Sequence, residues 1–218
     1  IFIERFEELL LADRVAHGTG VEPVETIHGT ELLGTVVSTI VLSEVAAVVA
    51  EAAFKHNYEL SFPIIATVNG QTLHNHDHSN LIKPGDMLLL DAGAETEMGY
   101  AGDMSSTMPA DKKFTQRQRD VYDIQVAAHE AAVAALRPGI KFVDVYEKSC
   151  AVIMEGMKSL GFAKGDPMEA VKAGAHAMFM PCGLGHMMGL DVHDMENLGE
   201  VYVGYNGQPK STQFGRKS

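Results

Sequence analysis

The run "MLLLDAG", residues 87–93, ends a continuous apolar stretch with a carboxylate. The preceding "KPGD" predicts a turn, and successive apolar residues bounded by turn signals are typical of a buried strand. Asp91 would therefore stand at the end of a buried strand, where an unpaired charge is costly. The sequence thus predicts a cation or a shared proton beside Asp91.

A second strand, "GYAGDMSST" (residues 99–107), follows after a short connection. The two strands predict a hairpin that turns near Glu97 and Met98 and brings Asp103 close to Asp91. Two adjacent carboxylates repel each other, so the pair makes sense if the groups share a proton or bind a divalent metal. An equal alternative is that either aspartate is an ordinary turn residue beside glycine.

Two histidines, His186 and His193, lie in the glycine-rich segment "PCGLGHMMGLDVHD". Neutral imidazole is a ligand for Zn, Mn, Fe or Co, and glycines let the backbone approach a ligand closely. A lone histidine is more often structural, but two of them together with the upstream aspartates favour a metal or substrate site.

A third group of histidines, His74, His76 and His78, alternates in "LHNHDHS". If this segment is the end of a strand, the three rings face the same way. For His76 and His78 the preferred interpretation is a solvated polar loop.

Strands and helices occur in separate runs, which predicts an α+β fold. "LSFPIIATVNG" is typical of a strand, and a capping box of Thr115 and Gln118 announces a helix. The sequence predicts five helices. The first is an amphipathic opening segment with Phe2, Phe6, Leu9 and Leu10 on its apolar face, and the second is a long buried helix over about 36–56. The third begins after Thr115 and carries an apolar stripe of Val121, Ile124, Ala128, Ala131 and Ala135; the fourth covers about 143–160, and the fifth is a short helix after Asp166 and Pro167.

Composition narrows the classes of partner. With 17 Lys and Arg against 29 Asp and Glu, the formal charge of -12 argues against nucleic acid and anionic lipid. Apolar stretches fall short of a membrane span, and no signal-peptide pattern opens the chain. Cys150 and Cys182 lie in different contexts, unlike a disulfide framework. We therefore expect no membrane partner and a cytoplasmic location.

The hairpin "LLLDAGAETEMGYAGDMSST" and the loop "CGLGHMMGLDVHD" resemble the aspartate hairpin and histidine loop of the pita-bread dinuclear metallopeptidases. "GLDVHD" and "SFPIIATVNGQTLHNH" look most like the branch of Xaa-Pro aminopeptidase and prolidase, and the resemblance runs from about Glu44 to Tyr205. It implies the pita-bread form of the α+β class, a curved antiparallel sheet flanked by helices, here incomplete at the C-terminus. Residues 1–218 would be a single partial catalytic domain without the branch's N-terminal domain.

The resemblance also implies roles for individual residues. Asp91 matches a bidentate ligand of one metal, Asp103 the carboxylate that bridges two metals, and His186 a histidine ligand. His74 matches a histidine near the scissile peptide bond, and His193 one that contacts and polarises the substrate carbonyl. The implied reaction is metal-dependent hydrolysis of the peptide bond before proline, on a peptide with proline at the second position. Two divalent ions are implied as cofactors, with Mn preferred and Co or Zn as alternatives.

The chain departs from the family pattern at the remaining ligands. The family needs two further glutamates on later strands. After His193 the sequence holds only Glu196 and Glu200, and for either of them a substitute ligand is the less favoured interpretation. Three ligands leave each ion underliganded, so tight binding of two ions is not expected. We expect an inactive or weakly active fragment, in preference to a degenerate relative or the ordered portion of a longer enzyme.

Smaller departures lie near the matched residues. Ser105 and Ser106 stand where the family has Thr and Arg, and Cys182 stands where many Xaa-Pro enzymes have histidine. For Cys182 a small residue in a tight loop is preferred to a reactive thiol. A competing hypothesis is a peptidase-like module that binds peptides or proteins without hydrolysing them. The metal, the residue preferred before proline and the oligomeric state, including a homodimer, are left open.

Overall fold

A computed structural model describes residues 40–111, 113–196, 198–209 and 211–212. It divides into two compact units, Ile1–Phe114 and Thr115–Ser218. The expected opening helix lies outside the described residues. The first unit contains α1 (Leu42–Lys55), β1 (Glu59–Leu60), β2 (Ile65–Thr67), β3 (Met87–Ala92), β4 (Ala94–Glu95) and β5 (Met104–Pro109). The second contains α2 (Gln116–Ala135), α3 (Phe142–Ser159), α4 (Pro167–Lys172), a 3₁₀ turn (Ala175–Met178) and α5 (Glu200–Val203).

The first unit is built around an antiparallel sheet of order β2-β3-β5, with β1 and β4 pairing separately. The hairpin of β3 and β5 is confirmed, and its turn is closed by a hydrogen bond from the Gly99 amide to the Thr96 carbonyl (2.8 Å). The segment expected as one strand forms two short strands, β1 and β2, in different sheets. Pro63 lies between them and has no amide hydrogen for a ladder.

Helix α1 packs one face against this sheet, where Leu42 and Ala46 join the apolar core. The expected long helix is present at Leu42–Lys55, but its expected burial holds for one face only, because Val48 is 51% and Phe54 is 55% exposed. Among the described residues the helix begins at Leu42, since Val41 is held in an extended bridge before it. The buried core of this unit consists of Ile40, Leu42, Ala46, Ile64, Ala66, Ile82, Leu88, Leu90 and Ala110.

The second unit is helical, with α2 packed on α3 through Ala128, Ile153 and Met157. The capping box at the start of α2 is confirmed, and Asp166 caps α4 through the amides of Met168 and Glu169. The expected stripe of α2 is correct at Ala128 and Ala135, whereas Val121 is 41% exposed and Ala132 is buried.

A buried polar contact joins α3 to the 3₁₀ turn. The Tyr146 hydroxyl and Nε2 of His176 lie 3.1 Å apart, and both side chains are almost fully buried. Cys150 lies on the same helix, and burial is the main cause that raises the pKa of its thiol to about 11. Cys150 and Cys182 are both free thiols, which confirms the expectation that they form no disulfide. Of the helices in the described ranges, none is both long and apolar enough to cross a membrane.

Candidate active site

The hairpin places the two aspartates of the first unit side by side. Asp91 lies directly opposite Ser105 in the register of β3 and β5. Asp103 precedes Ser105 by two residues, and residues two apart on a strand share a face. The Ser105 hydroxyl donates a hydrogen bond to Oδ1 of Asp91 (2.9 Å). The sequence therefore folds into a ladder that brings both carboxylates to one face.

The electrostatics of the pair agree with this placement. Burial is the largest cause that raises the pKa of the Asp91 carboxyl above its usual value. The negative charge of Asp103 and a side-chain hydrogen bond with it raise this pKa further, while the Ser105 hydrogen bond and the charge of His74 lower it. A carboxylate pair of this kind favours a shared proton or a divalent cation.

Glycine lets the two arms of the hairpin approach beside the aspartates. A Cβ at Gly93 would overlap the main-chain carbonyl of Gly102, and its distance to the Asp103 amide nitrogen would be 3.0 Å. The Gly102 amide donates to the Ala94 carbonyl and to the Ser61 hydroxyl, each at 3.0 Å. Only a residue without a side chain permits this contact at position 93.

The segment with three histidines is a loop and not a strand end, so the expected alternation is wrong. His74 is exposed and has a φ of 55°, a left-handed conformation that is uncommon for a non-glycine residue. His78 is half-buried, and its Nε2 lies 2.9 Å from the Ile64 carbonyl oxygen. Its expected solvation is therefore wrong, whereas His76 is exposed as expected. Of the three histidines, His74 is the one whose charge lowers the pKa of the Asp91 carboxyl.

In the second unit, the glycine-rich loop brings His186 and His193 together. Their rings stack with centroids 3.9 Å apart and an angle of 12° between the planes. Nδ1 of His186 lies 3.0 Å from the Met187 carbonyl oxygen, and Nδ1 of His193 lies 2.6 Å from Oε2 of Glu196. The amide of Asp194 donates to the same Met187 carbonyl (3.0 Å). The loop thus holds both imidazoles through their Nδ1 atoms.

Sequence reasoning missed two partners of the candidate site. Ser105 was noted only as a departure from the family, but the hairpin register makes it the donor to Asp91. Glu196 was weighed only as a substitute ligand, but it contacts His193 three residues earlier. Within the described residues of either unit, no group of three or more His, Cys, Asp and Glu side chains is arranged to hold a metal ion. The carboxylate pair by itself fits part of a ligand set for a hard divalent cation.

The first unit holds paired carboxylates on an antiparallel hairpin and the second holds paired imidazoles in a glycine-rich loop, and both residue types are ligands for divalent metals. The sequence model of metallopeptidase family M24 matches residues 15–213, so the chain belongs to this family. Membership implies divalent metal ions as cofactors.

Relatives named Xaa-Pro aminopeptidase are similar over much of the chain. The protein from Escherichia coli is 39% identical over 143 residues, which cover 66% of this chain and 30% of that protein. A probable Xaa-Pro aminopeptidase from Chaetomium globosum is 36% identical over 153 residues, which cover 69% of this chain and 25% of that protein. The chain therefore spans less than a third of the length of these curated relatives.

Solved structures of aminopeptidase P share the fold. The zinc-substituted E. coli enzyme in complex with product superposes with a TM-score of 0.69 at 32% identity, over 76% of this chain and 38% of that chain. Proline aminopeptidase P II from Yersinia pestis gives the same values. The predicted pita-bread fold and the resemblance to the Xaa-Pro aminopeptidase branch are confirmed.

The solved E. coli structures include alanine variants at two aspartates, three histidines and one glutamate. The interval from the first of those histidines to the first aspartate equals that from His74 to Asp91. In the E. coli enzyme, the second substituted aspartate and the second substituted histidine are as far apart in sequence as Asp103 and Cys182 are here. Its second and third substituted histidines are as far apart as Cys182 and His193. The interval between the aspartates is one residue longer in this chain.

Proposed function

We propose that this chain is the metal-binding part of an Xaa-Pro aminopeptidase, which hydrolyses the peptide bond before proline on peptides with proline at the second position. The observation that carries the proposal is the pair of carboxylates, Asp91 and Asp103, on one face of the hairpin. The matching intervals between substituted residues in the E. coli enzyme and His74, Asp91, Asp103 and His193 support it. The preference for proline rests on the names of the relatives.

Each residue has a proposed part. Asp91 and Asp103, with His186, would hold divalent ions, of which Mn is preferred and Co or Zn are alternatives. When bound, such ions supply a Lewis acid that lowers the pKa of water and stabilises developing negative charge. His74 and His193 would bind the substrate. An imidazole N–H can donate a hydrogen bond to a peptide carbonyl oxygen as charge develops on it, and an unprotonated ring nitrogen can accept one from a peptide N–H.

We further propose that residues 1–218 form one partial catalytic domain with little or no turnover by itself. The support is that, among the residues that the structure describes, no group of three or more His, Cys, Asp and Glu side chains is arranged to hold a metal ion. A cytoplasmic location is proposed from the two free thiols, Cys150 and Cys182. Homodimer formation is consistent with the proposal but not required by it.

Manganese titration of the wild-type chain, Asp103→Ala and Asp123→Ala tests the metal site. We expect Asp103→Ala to weaken Mn binding at least about tenfold, since it removes a ligand and leaves Asp91 without its partner. Asp123 is the matched control, because its carboxylate is 56% exposed on α2 and pairs with Arg119. Equal Mn affinity in wild type and Asp103→Ala would contradict the proposal. Rapid cleavage of an Xaa-Pro peptide by the 218 residues would contradict the expected lack of turnover.

A second candidate function is a module that binds peptides without hydrolysing them. The observation in its favour is that neither unit, in its described residues, gathers three metal-ligating side chains. Metal analysis of the purified protein separates the candidates, because stoichiometric binding of two ions supports the peptidase alone. Peptide binding in the absence of any bound metal would support the binding module.

A further inference from the structure

We propose that Glu196 is a positioning residue for His193, fixing the orientation and the tautomer of the imidazole ring so that Nε2 faces the substrate. This inference rests on the proposed function, in which His193 contacts the peptide. It gives Glu196 a part other than that of a substitute metal ligand.

The first support is the contact itself. Oε2 of Glu196 lies 2.6 Å from Nδ1 of His193, which is short for a hydrogen bond between nitrogen and oxygen and typical of a bond to a charged group. An ionised carboxylate only accepts hydrogen bonds, so the hydrogen lies on Nδ1. Nε2 of His193 has no hydrogen-bond partner among the described residues. The carboxylate therefore leaves Nε2 as the atom available to a ligand.

The second support is the backbone that brings Glu196 back to His193. Met195, between them, has a φ of 62°, a left-handed conformation that a side chain disfavours. The amide of Leu198 donates to the Met195 carbonyl (3.2 Å), so a backbone hydrogen bond spans Glu196 on its C-terminal side. A left-handed residue of this kind is energetically unfavourable and persists where surrounding contacts require it. The turn thus holds the carboxylate in place instead of leaving it on a free loop.

The third support is the second contact on the ring. His186 stacks on the face of His193 at 3.9 Å between centroids, while Glu196 holds its edge. A ring held at one face and one nitrogen has little freedom to rotate about its χ angles. In the Nδ1–H tautomer Nε2 carries no hydrogen, so it can accept a hydrogen bond from a peptide N–H. The arrangement suits a ring that presents one nitrogen in a set direction.

The experiment is ¹⁵N-detected imidazole NMR of the 218-residue chain, without added metal, in the wild type, Glu196→Ala and Glu196→Gln. We expect the Nδ1–H tautomer at His193 in the wild type, a shift of population towards Nε2–H in Glu196→Ala, and recovery in Glu196→Gln, whose amide oxygen still accepts. Glu155→Ala is the matched control, since this exposed glutamate pairs with Lys158 on α3. An unchanged tautomer in Glu196→Ala would overturn the inference.

A peptide titration separates this inference from the proposed function. With an Ala-Pro-Ala peptide followed by chemical shifts, Glu196→Ala should bind about fivefold more weakly than the wild type, with Glu196→Gln between them. If His193→Ala weakens binding and Glu196→Ala does not, the positioning role fails while the proposed function stands. If His193→Ala binds like the wild type, the proposed contact of His193 fails, and with it the substrate part of this inference.

Discussion

Replacing Gly93 with alanine tests whether the close approach of the hairpin arms assembles the carboxylate pair. The new Cβ would overlap the carbonyl group of Gly102, which is main chain and cannot rotate away. Relief requires the arms to separate. Separation strains the hydrogen bond from the Gly102 amide to the Ala94 carbonyl (3.0 Å) and that from the Ser61 amide to the Gly93 carbonyl (3.0 Å).

The expected loss of unfolding free energy follows from these contacts. Two backbone hydrogen bonds contribute about 1 kcal/mol each, and overpacking costs about 1–3 kcal/mol, so Gly93→Ala should destabilise the chain by about 3–5 kcal/mol. Gly70→Ala is the matched control, because its Cβ would lie 3.5 Å from Cδ1 of Leu89, an ordinary contact, and should change stability by less than about 1 kcal/mol.

Urea denaturation followed by circular dichroism measures both variants against the wild type, and a Mn titration measures the site. We expect Gly93→Ala to lower the urea midpoint and to weaken Mn binding, because the same displacement separates Asp91 from Asp103. A midpoint for Gly93→Ala that matches that of Gly70→Ala would refute the reasoning. Normal Mn affinity in a destabilised Gly93→Ala would show that the close approach serves the fold and not the site.

Two further predictions concern the buried groups of the second unit. Tyr146→Phe should lower the unfolding free energy by about 1–3 kcal/mol, because it leaves Nε2 of His176 buried without its hydrogen-bond partner. Thermal or urea denaturation measures this loss, and a stability equal to wild type would show that the hydrogen bond does not stabilise the fold. A thiol reagent at pH 8 should modify exposed Cys182 quickly and Cys150 only after denaturation, since the thiolate is the reactive form and burial raises the pKa of Cys150 to about 11. Mass spectrometry of the native chain that shows both thiols modified at equal rates would disprove this.

Local signals in the sequence were sufficient for several elements of the fold. The capping box of Thr115 and Gln118 and the cap by Asp166 depend on residues within one helical turn, so their spacing can be read directly. The run that ends in Asp91 predicted β3 in the same way. The start of α1 at Leu42 was not predictable, because it depends on a bridge between Val41 and Leu81, distant in sequence.

The residues of the candidate site show the same difference between local and distant signals. Residue type and spacing were enough to select Asp91 and Asp103, because a hairpin with a short connection leaves little choice of register. The role of His78 could not be predicted, since its partner is the Ile64 carbonyl on another segment. Glu196 lies three residues after His193, a spacing that brings side chains together in a helix. The segment is not helical, so the contact could be recognised only from the left-handed backbone at Met195.

The sequence by itself determined which residues are candidates for the chemistry: two carboxylates, one at the end of a short apolar strand, and the histidines of the glycine-rich loop. The tertiary structure decided what each of them touches. Ser105 became the donor to Asp91 through cross-strand register, and Glu196 the partner of His193 through a left-handed turn. The physical reason is that side-chain type and local periodicity are written in neighbouring residues, whereas hydrogen-bond partners depend on register and backbone angles that only the folded chain sets.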